Sequence, residues 1–359
     1  MEEKKVIIAM SGGVDSSVAA LLCRDAGYKC IGITLKLFSN GEVGVSEGHT
    51  CCSLSDVEDA RSVARSLGMP YYVLNFTDRF EKEVICRFVD AYRKGETPNP
   101  CIDCNRYIKF DSLYQRADEL GFDFVATGHY ARVCRHGDRY YLKKALDPSK
   151  DQSYVLYSLT QKQLARTVFP LGELSKDRVR ALAARHGFIN AAKHDSQDIC
   201  FVPDGHYADF ISYYTGENFP EGNFVDAHGN ILGKHRGIIR YTVGQRKGLG
   251  LALKQPMYVS RICPETNTVV LSPEDGLYTK TVIVKDVNLI SVDRIEEPVR
   301  LKAKVRYRQP EQWATVRQKK SGELEIVFDC GQRAVTRGQS AVLYDGDVVV
   351  GGGTVCDTF

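Results

Sequence analysis

The sequence predicts an α/β protein in which an N-terminal parallel sheet is followed by a small central domain and a C-terminal β-barrel. Over the first 130 residues, dense apolar runs alternate with amphipathic segments, which is typical of a parallel sheet covered by helices. From about residue 283, short strands follow one another with turn signals between them. We therefore place the domains at residues 1–205, 206–281 and 282–359.

Each element of the N-terminal domain follows from its residue types. Apolar and β-branched content predicts strands at 5–10, 30–38, 71–76 and 122–127. Helical periodicity predicts helices at 16–26, 56–67, 77–93 and 106–120, and a later aromatic helix at 207–214. Two segments interrupt this alternation, a Gly-rich polar insertion at 39–55 and a segment with two prolines at 95–105, which we predict to be a non-helical loop.

Composition excludes several protein classes. Of the 359 residues, 43% are hydrophobic and 26% charged, as in globular proteins with a sizeable core. No stretch of about 18 apolar residues occurs, so we predict no membrane span. The N-terminal Met-Glu-Glu-Lys-Lys runs at once into the first strand, unlike a signal or transit peptide. We therefore expect a cytoplasmic protein. A monomer is our default expectation.

Positive charge is concentrated in the C-terminal half, although the net charge is only +3. Residues 231–255 hold six Lys and Arg and no acid, and residues 300–320 hold eight against one acid. Four of the second group alternate with less polar residues, which predicts one charged strand face: Lys302, Lys304, Arg306 and Arg308. This pattern fits either a solvated barrel strand or a surface that follows the phosphates of an RNA.

The first predicted strand runs into Ser-Gly-Gly-Val-Asp-Ser-Ser (11–17) and then a helix. Glycines at this point let the backbone approach a ligand, and the amides of the loop and helix N-terminus favour an anion. Asp15 would repel a phosphate, so we expect it to orient the loop or to hold Mg²⁺. The string resembles the loop of the N-type ATP pyrophosphatases, which implies cleavage of ATP between its α- and β-phosphates. A plain glycine turn is the alternative.

Twelve cysteines is a high count, and in the cytoplasm we expect largely reduced thiols. Cys101 and Cys104 form a CxxC pair ahead of a predicted helix, where a thiol can have a lowered pKa. Cys200 stands apart, and the Cys51-Cys52 pair is a weaker candidate. Three hypotheses remain: a zinc site, a redox pair, or two thiols that carry and resolve sulfur beside the nucleotide loop.

Six segments match one family in order and nearly from end to end. They are TPNPCIDCNRYIKF (97–110), ATGHYAR (126–132), KDQSYVLYSL (150–159), DSQDICF (195–201), YTVGQRKGLG (241–250) and GQSAVLYDGDVVVGGG (338–353). They resemble the MnmA (TrmU) family of tRNA-specific 2-thiouridylases. The resemblance implies that ATP adenylates O2 of the wobble uridine and that a cysteine persulfide then replaces this oxygen with sulfur.

The resemblance also implies roles for individual residues. Cys104 corresponds to the nucleophilic cysteine and Cys200 to the persulfide carrier. The implied ATP contacts are Ala9, Met10, Ser11, Gly12, Gly13, Val14, Asp15, Ser16, Leu35 and Gly128. The implied contacts with the target base are Asn99, Pro100 and Cys101. The implied contacts with tRNA are His129, Lys150, Asp151, Gln152, Arg306, Tyr307 and Gln339.

One residue departs from the family pattern, because many members carry an aspartate where this chain has Cys101. An aspartate there could shuttle a proton or hold the base, which a cysteine does less readily. Either Cys101 is a bystander to two catalytic thiols, or Cys101, Cys104 and Cys200 ligate three irons of a [4Fe–4S] cluster with one iron open to sulfide.

The implied partners are tRNAs for Lys, Glu and Gln, together with a cysteine desulfurase or relay protein that donates sulfur. Two other functions remain open. The first is an adenylating ligase for a small molecule, which leaves the CxxC pair and the basic segments unexplained. The second is a non-catalytic RNA-binding protein with a retained nucleotide loop, which predicts tRNA binding without release of pyrophosphate.

Overall fold

A computed structural model describes residues 3–38, 54–195, 199–202 and 205–359. The strands are β1 (Lys5–Ala9), β2 (Lys29–Lys36), β3 (Tyr71–Asn75), β4 (Phe124–Thr127), β5 (Ala131–His136), β6 (Arg139–Lys144), β7 (Thr167–Val168), β8 (Gly222–Val225), β9 (Ile231–His235), β10 (Tyr258–Cys263), β11 (Thr268–Ser272), β12 (Tyr278–Leu289), β13 (Val299–Lys304), β14 (Gln312–Gln318), β15 (Leu324–Arg333), β16 (Ser340–Asp345) and β17 (Val348–Thr358).

The helices are α1 (Val14–Asp25), α2 (Leu54–Ser66), α3 (Thr77–Phe80), α4 (Cys86–Arg93), α5 (Pro100–Asp103), α6 (Leu113–Leu120), α7 (Gln161–Leu164), α8 (Lys176–Arg185) and α9 (Tyr207–Thr215). The aromatic helix predicted at 207–214 is therefore confirmed as α9. The Cys51-Cys52 pair and most of the insertion predicted at 39–55 lie outside the described residues.

The chain forms two compact units that alternate along the sequence. The first unit contains residues 1–85, 101–205 and 347–349, and the second contains 86–100, 206–346 and 350–359. Neither unit is a single stretch of chain, because residues 86–100 belong to the unit that is otherwise C-terminal.

The first unit is built on a five-stranded parallel sheet with the order β3-β2-β1-β4-β7. In its central strand β1, the consecutive apolar residues Val6, Ile7 and Ile8 are completely buried. Side chains on both faces of the strand are buried because both faces of the sheet are covered. The strand order reverses between β1 and β4, and ligands of such sheets bind at the carboxyl ends of strands at this point. The predicted parallel sheet is confirmed.

Two helix predictions were wrong in detail. The helix predicted at 77–93 is broken into α3, a π-helical turn (Glu81–Ile85) and α4. The helix predicted at 106–120 is π-helical over Cys104–Ser112 before it continues as α6. A π-helical segment has wider hydrogen-bonded turns, and over the 5 and 9 residues of these two segments its side-chain pattern is too short to be told from that of an α-helix.

The prediction that 95–105 contains no helix was also wrong, because α5 begins at Pro100. A proline is tolerated in the first turn of a helix, where its missing N–H would have no intrahelical partner. The CxxC pair therefore lies on a continuous helical segment that starts at this proline, rather than on a loop ahead of a helix.

The second unit contains two all-β parts. A four-stranded sheet has the order β10-β11-β8-β9. The six strands β12-β15-β14-β13-β16-β17 form a barrel that closes where β12 pairs with β17. Alternate residues fill its interior, including Leu301, Ala303, Val316 and Ile326, as expected for strands with one buried face. The predicted C-terminal barrel is confirmed.

The single charged strand predicted over residues 301–308 is shorter than expected. β13 ends at Lys304, and Arg306 and Arg308 lie in the turn that follows. Only the first two of the four cations therefore share a strand face. No helix in the described part of the chain is long and apolar enough to cross a membrane.

Candidate nucleotide and thiol site

The Gly-Gly loop connects the end of β1 to the start of α1, at the carboxyl edge of the parallel sheet. Gly12 has φ +76°, and a Cβ at this position would lie 2.3 Å from the carbonyl oxygen of Asp56. Only glycine fits there. Gly13 is the N-cap of α1 and brings no capping side chain, so the loop and the first turn of α1 can direct amides at an anion.

Serine hydroxyls hold the loop in this shape. Ser16 Oγ accepts a hydrogen bond from the amide of Ser11 at 3.1 Å and donates to the carbonyl oxygen of Gly13 at 3.0 Å. Ser17 Oγ donates to the same carbonyl at 3.1 Å. The loop is therefore bound to the first turn of its own helix before any ligand arrives.

The neighbouring strand β4 meets this loop closely. Gly128 follows β4, and a Cβ there would lie 2.7 Å from the amide nitrogen of Ser16. A larger residue would displace the loop. Gly128, far away in sequence, thus belongs to the loop site, while Leu35 on the other side of β1 is buried at the end of β2.

The carboxylate of Asp15 is neutralised by groups that the sequence did not single out. The Nζ of Lys176, at the N-terminus of α8, lies 2.7 and 2.9 Å from its two oxygens, and Tyr130 donates a hydrogen bond at 2.8 Å. Burial and then the negative charge of Asp15 raise the pKa of Tyr130, so this phenol keeps its proton. Since Asp15 is paired, its charge no longer opposes phosphate binding.

Lys176 is buried, at 7% exposure, and bridges Asp15 to a second carboxylate, Asp195, at 2.6 Å. Asp195 also pairs with Lys150 at 2.9 Å and with Arg180 at 3.4 Å. Burial alone would raise the pKa of Asp195, but its bonds to Lys176 and Lys150 outweigh burial and hold the pKa below its usual range. Asp195 precedes Cys200 by five residues.

A second set of contacts ties the same segment to the loop. Asn190 is 3% exposed and donates to the carbonyl oxygen of Gly12 and to Ser17 Oγ, both at 2.9 Å. Lys193 bonds Asp56 and Asp59 at 2.6 Å each. These two carboxylates outweigh the effect of burial and raise the pKa of Lys193. Residues 190–195, which lead to Cys200, are therefore hydrogen-bonded to the Gly-Gly loop and to the first turn of α1.

The three predicted thiols differ in accessibility. Cys101 is exposed, Cys104 is buried and Cys200 is half-buried. None of the ten cysteines in the described part of the chain forms a disulfide. Among the same residues, no three His, Cys, Asp or Glu side chains come close enough to hold a metal ion. Cys101, Cys104 and Cys200 are therefore not grouped around a single metal ion.

The residues expected to contact tRNA in the first unit are already engaged within the protein. His129 is buried, and its Nδ1 lies 2.7 Å from Thr127 Oγ1. Asp151 accepts hydrogen bonds from Ala145 N and the hydroxyl of Ser153, and Gln152 Oε1 accepts from the amide of Tyr130. The side chain of Lys150 is 34% exposed, so its charge can still be reached by a partner.

The residues expected to contact tRNA in the second unit are also hydrogen-bonded within the protein. Gln339 Nε2 donates to the carbonyl oxygen of Thr97 at 2.7 Å, and the amide of Thr97 bonds the carbonyl of Arg337. Arg306 Nη2 donates to Ala334 O and Thr336 Oγ1. Gln339 therefore fixes the backbone just before Asn99 and Pro100, of which Pro100 is buried.

The sequence matches three domain families that together span most of the chain. They are described as the tRNA methyl transferase HUP domain (residues 4–204), the tRNA methyl transferase PRC-barrel domain (208–273) and the aminomethyltransferase beta-barrel domain (279–355).

The full-length relatives are named as thiouridylases rather than as methyl transferases. The tRNA-specific 2-thiouridylase MnmA of Acetivibrio thermocellus is 54% identical and covers 99% of this chain and 100% of its own length. The proteins of the same name from Clostridioides difficile and Clostridium perfringens are 52% and 48% identical, each covering at least 98% of both chains. Among solved structures, a 4-thiouridine synthetase in complex with RNA is similar at TM-score 0.35 and 19% identity, covering 59% of this chain and 50% of its own.

We expect Gly12→Ala to abolish nucleotide binding, because the added Cβ meets the backbone of Asp56 at 2.3 Å. The matched control is Gly27→Ala, since Gly27 has a similar φ of +84° but open space around it. Isothermal titration with ATP measures both variants. Equal losses of affinity in the two variants would show that backbone strain, rather than the clash, decides the outcome.

We expect Lys176→Met to lower the free energy of unfolding by about 3–5 kcal/mol, because it leaves two carboxylates facing each other without their cation. Adding Asp195→Asn to that variant should recover part of the loss, since one of the two charges is removed. Urea denaturation measures each variant. Lys150→Met, which removes a more exposed partner of Asp195, is the control and should cost about 1 kcal/mol or less. Similar costs for both lysines would contradict the bridging role.

The pH dependence of stability should depend on His129. Burial and the charge of Lys109 hold its pKa well below the ordinary value, so the folded protein keeps this ring neutral. The unfolded chain protonates it below pH about 6.5, so stability is lost as the pH falls, by up to about 1.4 kcal/mol per pH unit. His129→Gln should remove this part of the slope in urea denaturation between pH 7.5 and 5.5. The exposed His136→Gln is the control, and an unchanged slope in His129→Gln would refute the assignment.

Proposed function

The chain belongs to the MnmA family of tRNA-specific 2-thiouridylases, and on this basis we propose that it is an ATP-dependent tRNA sulfurtransferase. Its substrates are ATP, a tRNA with uridine at the wobble position, and sulfur carried as a cysteine persulfide. Its product is 2-thiouridine in place of that uridine.

One observation carries the proposal beyond family membership. The segment 190–195, which leads to Cys200, is bonded to the nucleotide loop at two points. Asn190 bonds Gly12, and Asp195 is linked to Asp15 by Lys176, which pairs with both carboxylates. A protein that only binds a nucleotide has no need to fasten to its loop the segment that precedes a functional cysteine. The contacts support a reaction in which ATP cleavage and thiol chemistry occur in sequence at one site.

In the first step, the loop amides and the helix N-terminus hold the phosphates of ATP. O2 of the uridine attacks the α-phosphate, and the bond to the β-phosphate breaks, so that pyrophosphate leaves. Lys176 occupies both oxygens of Asp15, so the phosphates of ATP themselves would hold Mg²⁺, which would stabilise the charge of the departing pyrophosphate. Adenylation converts a poor leaving oxygen into AMP.

In the second step, the terminal sulfur of a Cys200 persulfide attacks C2 of the adenylated uridine, and AMP leaves with the old oxygen. The thiolate of Cys104 then attacks the sulfur of Cys200, and the sulfur–sulfur bond breaks. The electron pair stays with the thiolated base. The two cysteines finish as a disulfide, which an external thiol must reduce before the next cycle.

We assign the remaining predicted site residues either to the target base or to the rest of the tRNA. Asn99, Pro100 and Cys101 lie next to Cys104 on the segment that starts α5 and face the target base. Gln339 positions this segment through Thr97. His129, Lys150, Asp151, Gln152, Arg306 and Tyr307 serve tRNA binding, some of them by shaping the backbone around it. We assign Cys101 no step, because Cys104 and Cys200 suffice to carry the sulfur and to release the thiolated base.

The partners follow from the same chemistry. The persulfide comes from a cysteine desulfurase, directly or through a relay protein, and the tRNAs are those for Lys, Glu and Gln. The basic residues of 231–255 are all exposed, and we assign them to the phosphates of the tRNA. The protein works in the cytoplasm as a monomer.

Methyl transfer, which names two of the matching domain families, fits the site less well. It needs an activated methyl donor and gives no role to a pyrophosphate loop or to Cys104 and Cys200. An adenylating ligase for a small molecule leaves the thiols and the basic surface without a role. A non-catalytic RNA-binding protein would release no pyrophosphate.

Cys200→Ser should leave release of pyrophosphate intact and abolish thiolation, because adenylation precedes the step that needs the persulfide. Both are measured on one sample with tRNA, ATP and a cysteine desulfurase with its cysteine substrate as the persulfide donor, as pyrophosphate and as 2-thiouridine. Asp15→Ala should abolish both, and Cys101→Ser is the matched thiol control and should retain both. Full thiolation by Cys200→Ser would refute the persulfide assignment. Thiolation that requires iron in anaerobically purified protein would refute the two-thiol mechanism.

A further inference from the structure

Trp313, the only tryptophan of the chain, lies on the outer surface of the barrel. Its neighbours on β14, Ala314 and Val316, point inward and are completely buried, while Trp313 remains 51% exposed. A large aromatic side chain left in water on a strand that has a well-filled inner face contributes little to the core. The ring of Trp313 is therefore accessible to a partner on the outer surface of the barrel.

Two cations lie over this ring. Lys302 is directly opposite Trp313 on β13, with its Nζ 5.4 Å from the ring centroid, and the guanidinium carbon of Arg300 is 5.7 Å away. Arg300 is held in place by Asp329, at 2.8 and 2.7 Å. No carboxylate among the described residues pairs with Lys302, so its charge is available to a partner.

The same combination continues along the barrel. Lys304 lies on the same face of β13, and its Nζ is 5.5 Å from the ring centroid of Tyr307. We call the outward residues of the two strands the tryptophan face: Arg300, Lys302, Lys304, Trp313, Thr315 and Arg317. This face contains four cations and no acidic residue of its own, with Asp329 and Glu325 on the adjoining strand β15.

We propose that the tryptophan face is a stacking platform for an unpaired base of the tRNA. On binding, Lys302 exchanges its contact with the ring for a phosphate, the base stacks on the face of Trp313 that Lys302 leaves, and Arg317 binds a neighbouring phosphate. The proposal rests on the proposed function, which supplies tRNA as the partner. It extends the expected tRNA contact at Arg306 and Tyr307 from the turn onto the barrel wall.

The chemistry of the face favours RNA over an acidic protein. Every base has an aromatic surface that stacks on tryptophan whatever its sequence, and the phosphates beside it need cations at short range. An acidic protein would bind the four cations, but it would have no use for an exposed ring between them.

Because Trp313 is the only tryptophan, its fluorescence reports on this face alone. We expect saturating tRNA to quench the emission of the wild-type protein. We expect Trp313→Ala to weaken tRNA binding by about 5- to 100-fold in a filter-binding assay, whereas Trp313→Phe, which keeps an aromatic face, stays near wild type. Lys302→Gln should reduce the slope of log affinity against log salt by about 0.7–0.9.

The matched control is Tyr72→Ala, because Tyr72 is 53% exposed on a strand of the other unit and should leave tRNA affinity unchanged. Unchanged emission when filter binding shows saturation with tRNA would overturn the stacking proposal while leaving the proposed function intact. Equal losses in Trp313→Ala and Trp313→Phe, or quenching by an acidic protein but not by tRNA, would also overturn it. Absence of any tRNA binding by the wild type would instead refute the proposed function.

Discussion

The ammonium of Lys176, buried between Asp15 and Asp195, is the interaction on which the nucleotide site depends. An aspartate in an anion-binding loop would repel phosphate, and a second carboxylate nearby would add to that repulsion. One buried cation neutralises both carboxylates, because the attraction between opposite charges is strong where water is excluded. The loop can then present its amides to phosphates without an opposing field, and the chain that leads to Cys200 is held beside it.

The parallel sheet explains why these groups meet although they are far apart in sequence. Loops that follow neighbouring strands emerge at the same edge, and the strand order reverses between β1 and β4, which opens a crevice there. The Gly-Gly loop comes from β1 and Gly128 from β4, and they are in near contact. α8 then contributes Lys176 from its first turn, where Ser175 caps the helix. The fold thus assembles a site from several short segments.

The sheet, the barrel and the nucleotide loop could be predicted because each leaves a local pattern: apolar runs, strand alternation, or glycines between a strand and a helix. Lys176 and Asn190 could not, since a single lysine or asparagine in a polar segment carries no periodic signal and acquires its role only through tertiary contacts. The start of α5 at Pro100 was missed because proline excludes helix interiors but not first turns. Arg306 and Arg308 were misassigned because alternation of residue types continues beyond the point where β13 ends.

The alternation of the two units along the chain has a consequence for synthesis on the ribosome. Residues 86–100 belong to a unit whose remaining chain begins at residue 206. At roughly 5–20 residues per second, this short segment waits several seconds or more for its partners to emerge. During that time its amphipathic helix α4, with Phe88, Val89 and Tyr92 on the face that becomes buried, has no finished unit to join. Nascent chains of this protein should therefore be clients of ribosome-associated chaperones.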